Sequence, residues 1–195
     1  MRLLSYNLTL DRNPPLDLVV QSAVVIPRLI EFLSRHDSQQ LQLEAAWSIT
    51  NIACGEARHI KVLVINGAVL QLMLLVQATQ HRKVRDQAMW AICNLTADAF
   101  ACRSALLLPP FLSTILSLIG LNCYADPFTR IVQTPMTENP TLSIMRYVSF
   151  TCSNFVRLKD FPEEMSESQQ HDVFRKVLFC MSEMFQSPVS YNTYD

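Results

Sequence analysis

The side chains that most often carry out catalysis or bind metals are scattered in this sequence. Its four histidines lie far apart and never form the HExxH spacing of a zinc site, and its six cysteines include no CxxC pair. Its three glycines are too few and wrongly spaced for a GxGxxG or GxxxxGK nucleotide loop. We therefore expect no catalytic residue, no metal site and no cofactor, and we do not predict an enzyme.

One polar pattern has chemistry suited to recognition, namely an aromatic residue followed four positions later by asparagine. An asparagine amide offers both a hydrogen-bond donor and an acceptor. The pattern occurs three times, as Trp47 with Asn51, Trp90 with Asn94, and Phe150 with Asn154.

The spacing of these pairs indicates a repeat protein. The first two asparagines are 43 residues apart, within the roughly 40 to 47 residues of an armadillo or HEAT unit. The third follows after 60 residues, which implies an insertion. In a helix, the aromatic residue and the asparagine lie on one face, one turn apart. The opposite face carries the predicted core residues Ala45, Ile49, Ile52, Ala88, Ile92, Leu95, Val148, Cys152 and Phe155.

A helix that buries one side and repeats a Trp/Asn pair on the other is expected on the concave face of a solenoid. A single tryptophan would more often be an ordinary core residue, but packing does not explain three asparagines at the same offset. We predict an all-α fold, a right-handed α-solenoid of about three to four armadillo repeats in a single domain over residues 1–195. Inner helices are expected near 39–54, 82–97 and 142–158, outer helices over 25–35, 67–78 and 108–118, an inserted loop near 120–139, and partial repeats at both ends.

Composition and charge narrow the possible partners. The 195 residues are 50% hydrophobic, with 16 Lys+Arg, 17 Asp+Glu and a formal net charge of -1, so we predict a folded chain with no long-range field for nucleic acid or a membrane surface. The uncharged stretch between Arg103 and Asp126 has about the length of a membrane span, but Pro109 and Pro110 favour a buried helix. The scattered cysteines predict free thiols in a reducing compartment.

Several stretches resemble the importin-α (karyopherin-α) family of armadillo adaptors, which recognise nuclear localisation signals. They are residues 13–17 (NPPLD), 41–53 (LQLEAAWSITNIA), 84–95 (VRDQAMWAICNL) and 153–157 (SNFVR). Taken in order, they are similar to the end of the family's first repeat through the start of its fifth. The likeness is most specific over residues 38–98.

The resemblance implies a function and a set of site residues. The chain is expected to bind the basic localisation signals of cargo proteins in a Trp/Asn-lined concave groove, for protein import into the nucleus, and to occur in both cytoplasm and nucleus. Slots between the tryptophan rings suit lysine or arginine stems, with cation–π attraction of about 0.5–1 kcal/mol at exposed sites. Asp98 matches the acidic residue that pairs with the signal's key lysine. The implied peptide-binding residues are Trp47, Asn51, Gly55, Gln87, Trp90, Asn94, Asp98, Arg146, Phe150, Asn154 and Arg157.

Departures from the family pattern predict weaker signal binding. Ile60 stands where the family has a threonine hydroxyl near the lysine ammonium, Phe150 is a weaker cation–π partner than tryptophan, and Tyr147 replaces a small polar neighbour. The sequence has no basic amino-terminal arm of the importin-β-binding kind, so we do not expect direct contact with importin-β. The alternative hypothesis is a non-transporting armadillo scaffold or regulatory fragment that has lost signal binding.

Overall fold

A computed structural model describes part of the chain in two compact units, Met1–Leu106 and Leu107–Asp195. Regular secondary structure in the described residues is helical throughout, as the sequence predicts. The expected outer helix over 108–118 and the inserted loop near 120–139 lie almost entirely outside the described residues. The described residues are 5, 8, 9, 14–98, 114, 115, 118, 142–157, 166–168, 170, 171 and 175.

Within residues 14–98 of the first unit, six helices follow one another. They are α1 (Leu16–Gln21), α2 (Val25–Leu33), α3 (Gln39–Ala53), α4 (Ala57–Ile65), α5 (Ala68–Ala78) and α6 (Arg82–Asp98). The second unit contains α7 (Leu142–Arg157). Helix α3 begins at the residue expected from the Trp/Asn pattern and ends one residue earlier than expected, and α6 also begins at the expected residue.

The first unit contains two groups of three helices, where the sequence predicted groups of two. A short helix, an outer helix and a long inner helix follow one another as α1–α2–α3 and again as α4–α5–α6. The sequence analysis missed α1 and α4. Helix α1 has only six residues and buries none of them, and α4 is rich in β-branched residues of low helix propensity. Neither sequence therefore carries a strong local helix signal.

Local signals set where the helices begin. The Ser38 side chain caps α3 by accepting a hydrogen bond from the Leu41 backbone N–H at 3.4 Å. At the start of α4, His59 Nδ1 accepts a hydrogen bond from the Glu56 backbone N–H at 3.0 Å, which is half of a capping box. Gly67 turns the chain between α4 and α5 with a φ of 85°, a conformation that is costly for any residue with a Cβ.

The predicted core face of the inner helices is buried. In the described residues, α3 and α6 form the most extensive helix–helix contact, while α2 packs on α3 and α5 packs on α6. The core of the first unit therefore lies between inner and outer helices, and helix geometry places the Trp/Asn pairs on the other face. The predicted core residues with no exposed surface are Ala45, Ile49, Ile52, Ala88, Ile92, Leu95, Val148 and Cys152.

A helix that crosses a bilayer needs about 20 predominantly apolar residues. Over the described ranges, no single helix is both long and apolar enough to cross a membrane. The adjacent helices α4 and α5 meet these criteria only as a pair, and they are bent by 68° relative to each other.

Candidate functional site

The first Trp/Asn pair lies on α3. Trp47 is half-buried, and Asn51 follows one turn later with similar partial burial. Asn51 Nδ2 donates a hydrogen bond to the backbone carbonyl of Ser5 at 3.3 Å and another to Thr9 Oγ1 at 2.9 Å. Thr9 Oγ1 in turn donates to the Ser5 carbonyl, one helical turn earlier, at 2.8 Å. The Asn51 amide therefore ties these two helical residues to α3.

The second pair lies on α6 and repeats this arrangement. Trp90 is 41% exposed, and Asn94 is half-buried one turn later. Asn94 Nδ2 donates to the backbone carbonyl of Thr50 at 3.3 Å and to Cys54 Sγ at 3.1 Å. Thr50 and Cys54 lie one turn apart at the end of α3, as Ser5 and Thr9 do near the amino terminus. Each asparagine thus binds the segment that precedes its own helix in the stack.

In both pairs, the neighbouring backbone sets the orientation of the amide. A backbone carbonyl only accepts hydrogen bonds, so the end of the amide that faces Ser5 or Thr50 is the NH2 group. That group has two hydrogens, and both are used. Among the described residues, no protein donor binds Oδ1 of Asn51 or Asn94. Each amide therefore has a spare acceptor and no spare donor.

A second polar contact fixes the same register between successive helices. Gln87, three residues before Trp90, donates from Nε2 to Thr50 Oγ1 at 2.8 Å. Glu44, at the equivalent position of α3, accepts a hydrogen bond from Ser5 Oγ. Ser5 therefore takes the place relative to α3 that Thr50 takes relative to α6. Peptide contact by Gln87 stays a prediction, and its NH2 group already has this partner within the protein.

Gly55 lies in the turn between α3 and α4, where a side chain has no room. A Cβ at this position would lie 2.4 Å from His59 Nδ1 and 2.6 Å from Leu16 Cδ1, closer than real Cβ atoms approach other heavy atoms. Glycine is thus required for the close packing of α1 against the start of α4. Peptide contact by Gly55 stays a prediction.

A cleft of about 820 Å³ opens beside this turn, and Asn51 is among its lining residues. At its rim, Asp17 accepts hydrogen bonds from His59 Nε2 at 2.9 Å and from Arg58 at 3.0 and 3.1 Å. The hydrogen bond from His59 and the Arg58 guanidinium lower the pKa of the Asp17 carboxyl. Nowhere in the described part of the chain do three His, Cys, Asp or Glu side chains come close enough to hold a metal ion.

Comparisons with known proteins indicate armadillo repeat proteins. Residues 13–54 match the family model of the armadillo/beta-catenin-like repeat. Importin subunit alpha-2 of Arabidopsis thaliana is 37% identical over 155 residues, which are 80% of this chain and 25% of that protein. Importin subunit alpha-3 of the same plant is 36% identical over 177 residues, 90% of this chain and 30% of that protein.

A designed armadillo repeat protein, solved in complex with the peptide (KR)4, has the same fold. Its TM-score is 0.68 at 18% identity, over 97% of this chain and 67% of that one, and at this identity the likeness supports the fold alone. The chain has the armadillo fold and resembles importin-α. It spans about a quarter of the length of the curated importin-α relatives that it matches.

Two further side chains have environments that bear on the predicted site. Ile60 is 2% exposed and lies in the core, so its apolar side chain is not at the surface. Cys54 is exposed as a residue, but partial burial raises the pKa of its thiol. The bond from Asn94 therefore ends on a neutral thiol, which is a weak acceptor.

The third predicted pair lies on α7, in the second unit. Phe150 is 51% exposed and Arg146 is also exposed, whereas Asn154 is only 2% exposed. We expected Asn154 to present its amide to an open groove, and the structure differs because surrounding protein atoms cover that amide. The peptide-binding assignments of Phe150, Arg146 and Asn154 stay predictions.

Two charged residues of the predicted site lie at the last described positions of their helices. Asp98 lies on α6, one turn after Asn94, and Arg157 lies on α7. Their side chains lie outside what the structure describes. Both assignments stay predictions.

The sequence analysis missed the polar partners of the asparagines. Ser5 and Thr9 precede Thr50 and Cys54 by 45 residues each, close to the interval of 43 between the asparagines. This second set of equally spaced small polar residues was the available signal. It indicates that Ser5 and Thr9 contact α3 as Thr50 and Cys54 contact α6.

Proposed function

We propose that this chain is an importin-α-like adaptor that binds the extended basic localisation signals of cargo proteins for import into the nucleus. The observation that carries the proposal is one environment repeated at Asn51 and Asn94, each with a tryptophan one turn before it. The similarity to importin subunits alpha supports the same role. A protein with this role acts in both the cytoplasm and the nucleus.

The asparagines supply contacts that do not depend on the peptide's sequence. An extended peptide presents main-chain N–H groups at regular intervals, and the Oδ1 atoms of Asn51 and Asn94 are spare acceptors. Because α3 and α6 pack directly against each other, the two acceptors belong to neighbouring helices of one stack. Such contacts hold a peptide in register without selecting its side chains.

Preference for basic peptides comes from the aromatic rings and from charge. Trp90 is 41% exposed and Trp47 is half-buried, so part of each ring is accessible to a lysine or arginine stem. A cation over such a ring gains about 0.5–1 kcal/mol when exposed, and about 2 kcal/mol when water is excluded. Asp98 adds an ionic partner for one lysine of the peptide.

Binding is expected to be weaker than a full set of family residues would give. Ile60 is buried and apolar, and Asn154 is only 2% exposed, so we expect neither to add its full contribution to peptide binding. We expect a dissociation constant in the micromolar range or weaker, which corresponds to a binding free energy of about −8 kcal/mol or less favourable.

Fluorescence anisotropy of a labelled lysine-rich peptide at low salt tests the proposal. The wild-type chain should bind this peptide and should not bind one whose lysines are replaced by threonine. Trp90→Ala should weaken binding about tenfold, since a cation–π contact of up to about 2 kcal/mol is lost. Leu70→Ala is the matched control, because Leu70 is 50% exposed on the outer helix α5.

Two results would contradict the proposal. One is a wild-type chain that binds neither peptide at low salt, or both equally well. The other is equal affinity of wild type and Trp90→Ala for the lysine-rich peptide. In either case the non-transporting armadillo scaffold replaces the adaptor as the better hypothesis.

A further inference from the structure

The outer helix α5 presents leucines to solvent where the equivalent outer helix α2 presents charges. Leu70 and Leu74 are 50% and 44% exposed, and they lie one turn apart on α5. Helix α5 begins 43 residues after α2, so the two helices can be compared position by position. The equivalent residues of α2 are Pro27 and Glu31, and Glu31 forms an exposed ion pair with Arg28 at 2.6 Å. Helix α2 thus has an ordinary solvated face, whereas α5 has an apolar row at the same place.

The sequence around this apolar row is basic and has no acidic residue. Between residues 57 and 85 there is no Asp or Glu, and the Lys and Arg residues are Arg58, Lys61, Arg82, Lys83 and Arg85. The equivalent range 14–42 has two arginines and three acidic residues. Lys61, Arg82 and Lys83 are exposed, and over the described ranges none of the three forms an ion pair. This part of the chain is therefore locally positive, although the whole chain has a net charge of -1.

A short turn places two of these cations at the carboxyl end of α5. Only three residues separate α5 from α6, and Arg85 Nη2 donates a hydrogen bond to the Thr79 backbone carbonyl at 3.1 Å across this turn. Arg82 and Lys83 are the first two residues of α6. Leu74 lies one turn before the end of α5, so the apolar row leads towards the two cations.

We propose that the outward face of α5 docks an acidic amphipathic helix of a partner protein. The apolar side of that helix packs on Leu70 and Leu74, and its carboxylates pair with Arg82 and Lys83. Residues four apart form a ridge along a helix, and such a ridge fits between the ridges of a second helix. The main-chain groups of α5 bond within the helix, so an extended strand would find no main-chain partner here. This surface lies on an outer helix and not on the Trp/Asn face, so it is independent of the proposed function.

A second copy of the chain fits this surface less well than an acidic helix does. Two copies related by a two-fold axis would align their α5 helices either parallel or antiparallel. Parallel pairing brings Arg82 and Lys83 of both copies together. Antiparallel pairing places these cations beside the amino end of the other α5, which carries partial positive charge. Both arrangements set like charges against each other, whereas the carboxylates of an acidic helix neutralise them.

Three synthetic peptides and three protein variants test the proposal. The acidic probe has leucines at positions i, i+4 and i+7 of a helix and glutamates at the flanking positions. One control probe has serine in place of the leucines, and the other has lysine in place of the glutamates. Fluorescence anisotropy at low salt measures their affinity for the full chain as wild type, Leu74→Glu and Arg82→Glu/Lys83→Glu. Val24→Glu is the matched control, because Val24 is 71% exposed just before the equivalent helix α2.

The acidic probe should bind the wild-type chain, and the serine probe should not. Leu74→Glu should weaken binding of the acidic probe about tenfold, because an apolar contact is lost and a like charge faces the glutamates. Arg82→Glu/Lys83→Glu should also weaken it about tenfold, and this effect should shrink as salt rises. Val24→Glu should leave the affinity unchanged. All of these side chains are exposed, and circular dichroism verifies that each variant is folded.

Four results would overturn the proposal. The first two are an acidic probe that does not bind at low salt, and equal affinity of wild type and Leu74→Glu for it. The third is a dimer in analytical ultracentrifugation that Leu74→Glu dissociates, which would assign the face to a second copy. The fourth is Leu74-dependent binding to vesicles of phosphatidylcholine and phosphatidylserine, which would assign it to a membrane. The lysine-rich localisation peptide should bind wild type and Leu74→Glu equally, so failure on α5 leaves the proposed function intact.

Discussion

Gly55→Ala should destabilise the fold through a specific clash. The added Cβ would lie 2.4 Å from His59 Nδ1 and 2.6 Å from Leu16 Cδ1. The end of the Leu16 side chain can rotate away, whereas His59 is buried and held at both ring nitrogens. Its Nδ1 accepts from the Glu56 N–H at 3.0 Å, and its Nε2 donates to Asp17 at 2.9 Å. We expect the imidazole to be displaced and the bond to Glu56 to break.

The expected cost comes from two contributions. Loss of the hydrogen bond between His59 and the Glu56 N–H contributes about 1 kcal/mol. Forcing a methyl group into a packed site contributes about 1–3 kcal/mol. The free energy of unfolding should therefore fall by about 2–4 kcal/mol. Gly67→Ala is the matched control, because Gly67 has a φ of 85° with nothing within 4 Å, so only backbone strain of about 1 kcal/mol applies.

Urea unfolding followed by circular dichroism measures both changes. A double-mutant cycle with His59→Ala then assigns the cause. If the clash with His59 dominates, Gly55→Ala should cost less than about 1 kcal/mol in the His59→Ala background. The reasoning fails if Gly55→Ala costs no more than Gly67→Ala, or if its cost is the same with and without the imidazole.

Three further predictions concern charge and register. Asp98→Lys should abolish most of the affinity for a lysine-rich peptide, and anisotropy titrations should show this effect shrinking as salt rises, because the charge is screened. The pKa of Asp37 is held at about 2 by its hydrogen bonds from Arg35, below the ordinary 3.8. Its stabilising effect is thus complete above pH 3.8 and lost as pH falls towards 2, so Asp37→Asn should show a smaller drop in urea midpoint over this range than wild type. Gln87→Ala should lower the free energy of unfolding by about 1 kcal/mol, and a cycle with Thr50→Val should show that the two changes are coupled.

The inner helices could be predicted from sequence because their signal has two independent parts. The interval of 43 residues indicates a repeat, and the four-residue offset from Trp to Asn assigns one face of each helix. The opposite face is then fixed as core, and Ile49 and Ile92 have no exposed surface. Helix periodicity links these observations, and α3 and α6 begin at the residues expected.

The features that were missed depend on tertiary contacts. Helix α4 begins where His59 and Glu56 form a capping contact, and α1 is held by Asp17 against His59 and Arg58. Neither contact produces a periodic pattern along the chain. Burial of Asn154 could not be predicted either, because its offset from Phe150 is the same as that of the accessible asparagines and only packing distinguishes it.

Asn51 and Asn94 also bind neighbouring helical segments of the protein itself. This limits what a single substitution of either residue can show. Asn94→Ala removes the Oδ1 acceptor and also the two hydrogen bonds from Nδ2 to Thr50 and Cys54. A loss of peptide affinity in this variant would therefore follow either from a lost peptide contact or from a shift of α6 against α3. A stability measurement would detect only the second change. A double-mutant cycle between Asn94→Ala and N-methylation of single residues of the peptide identifies the first, because a general shift of α6 would not abolish the effect of methylation at one peptide position alone.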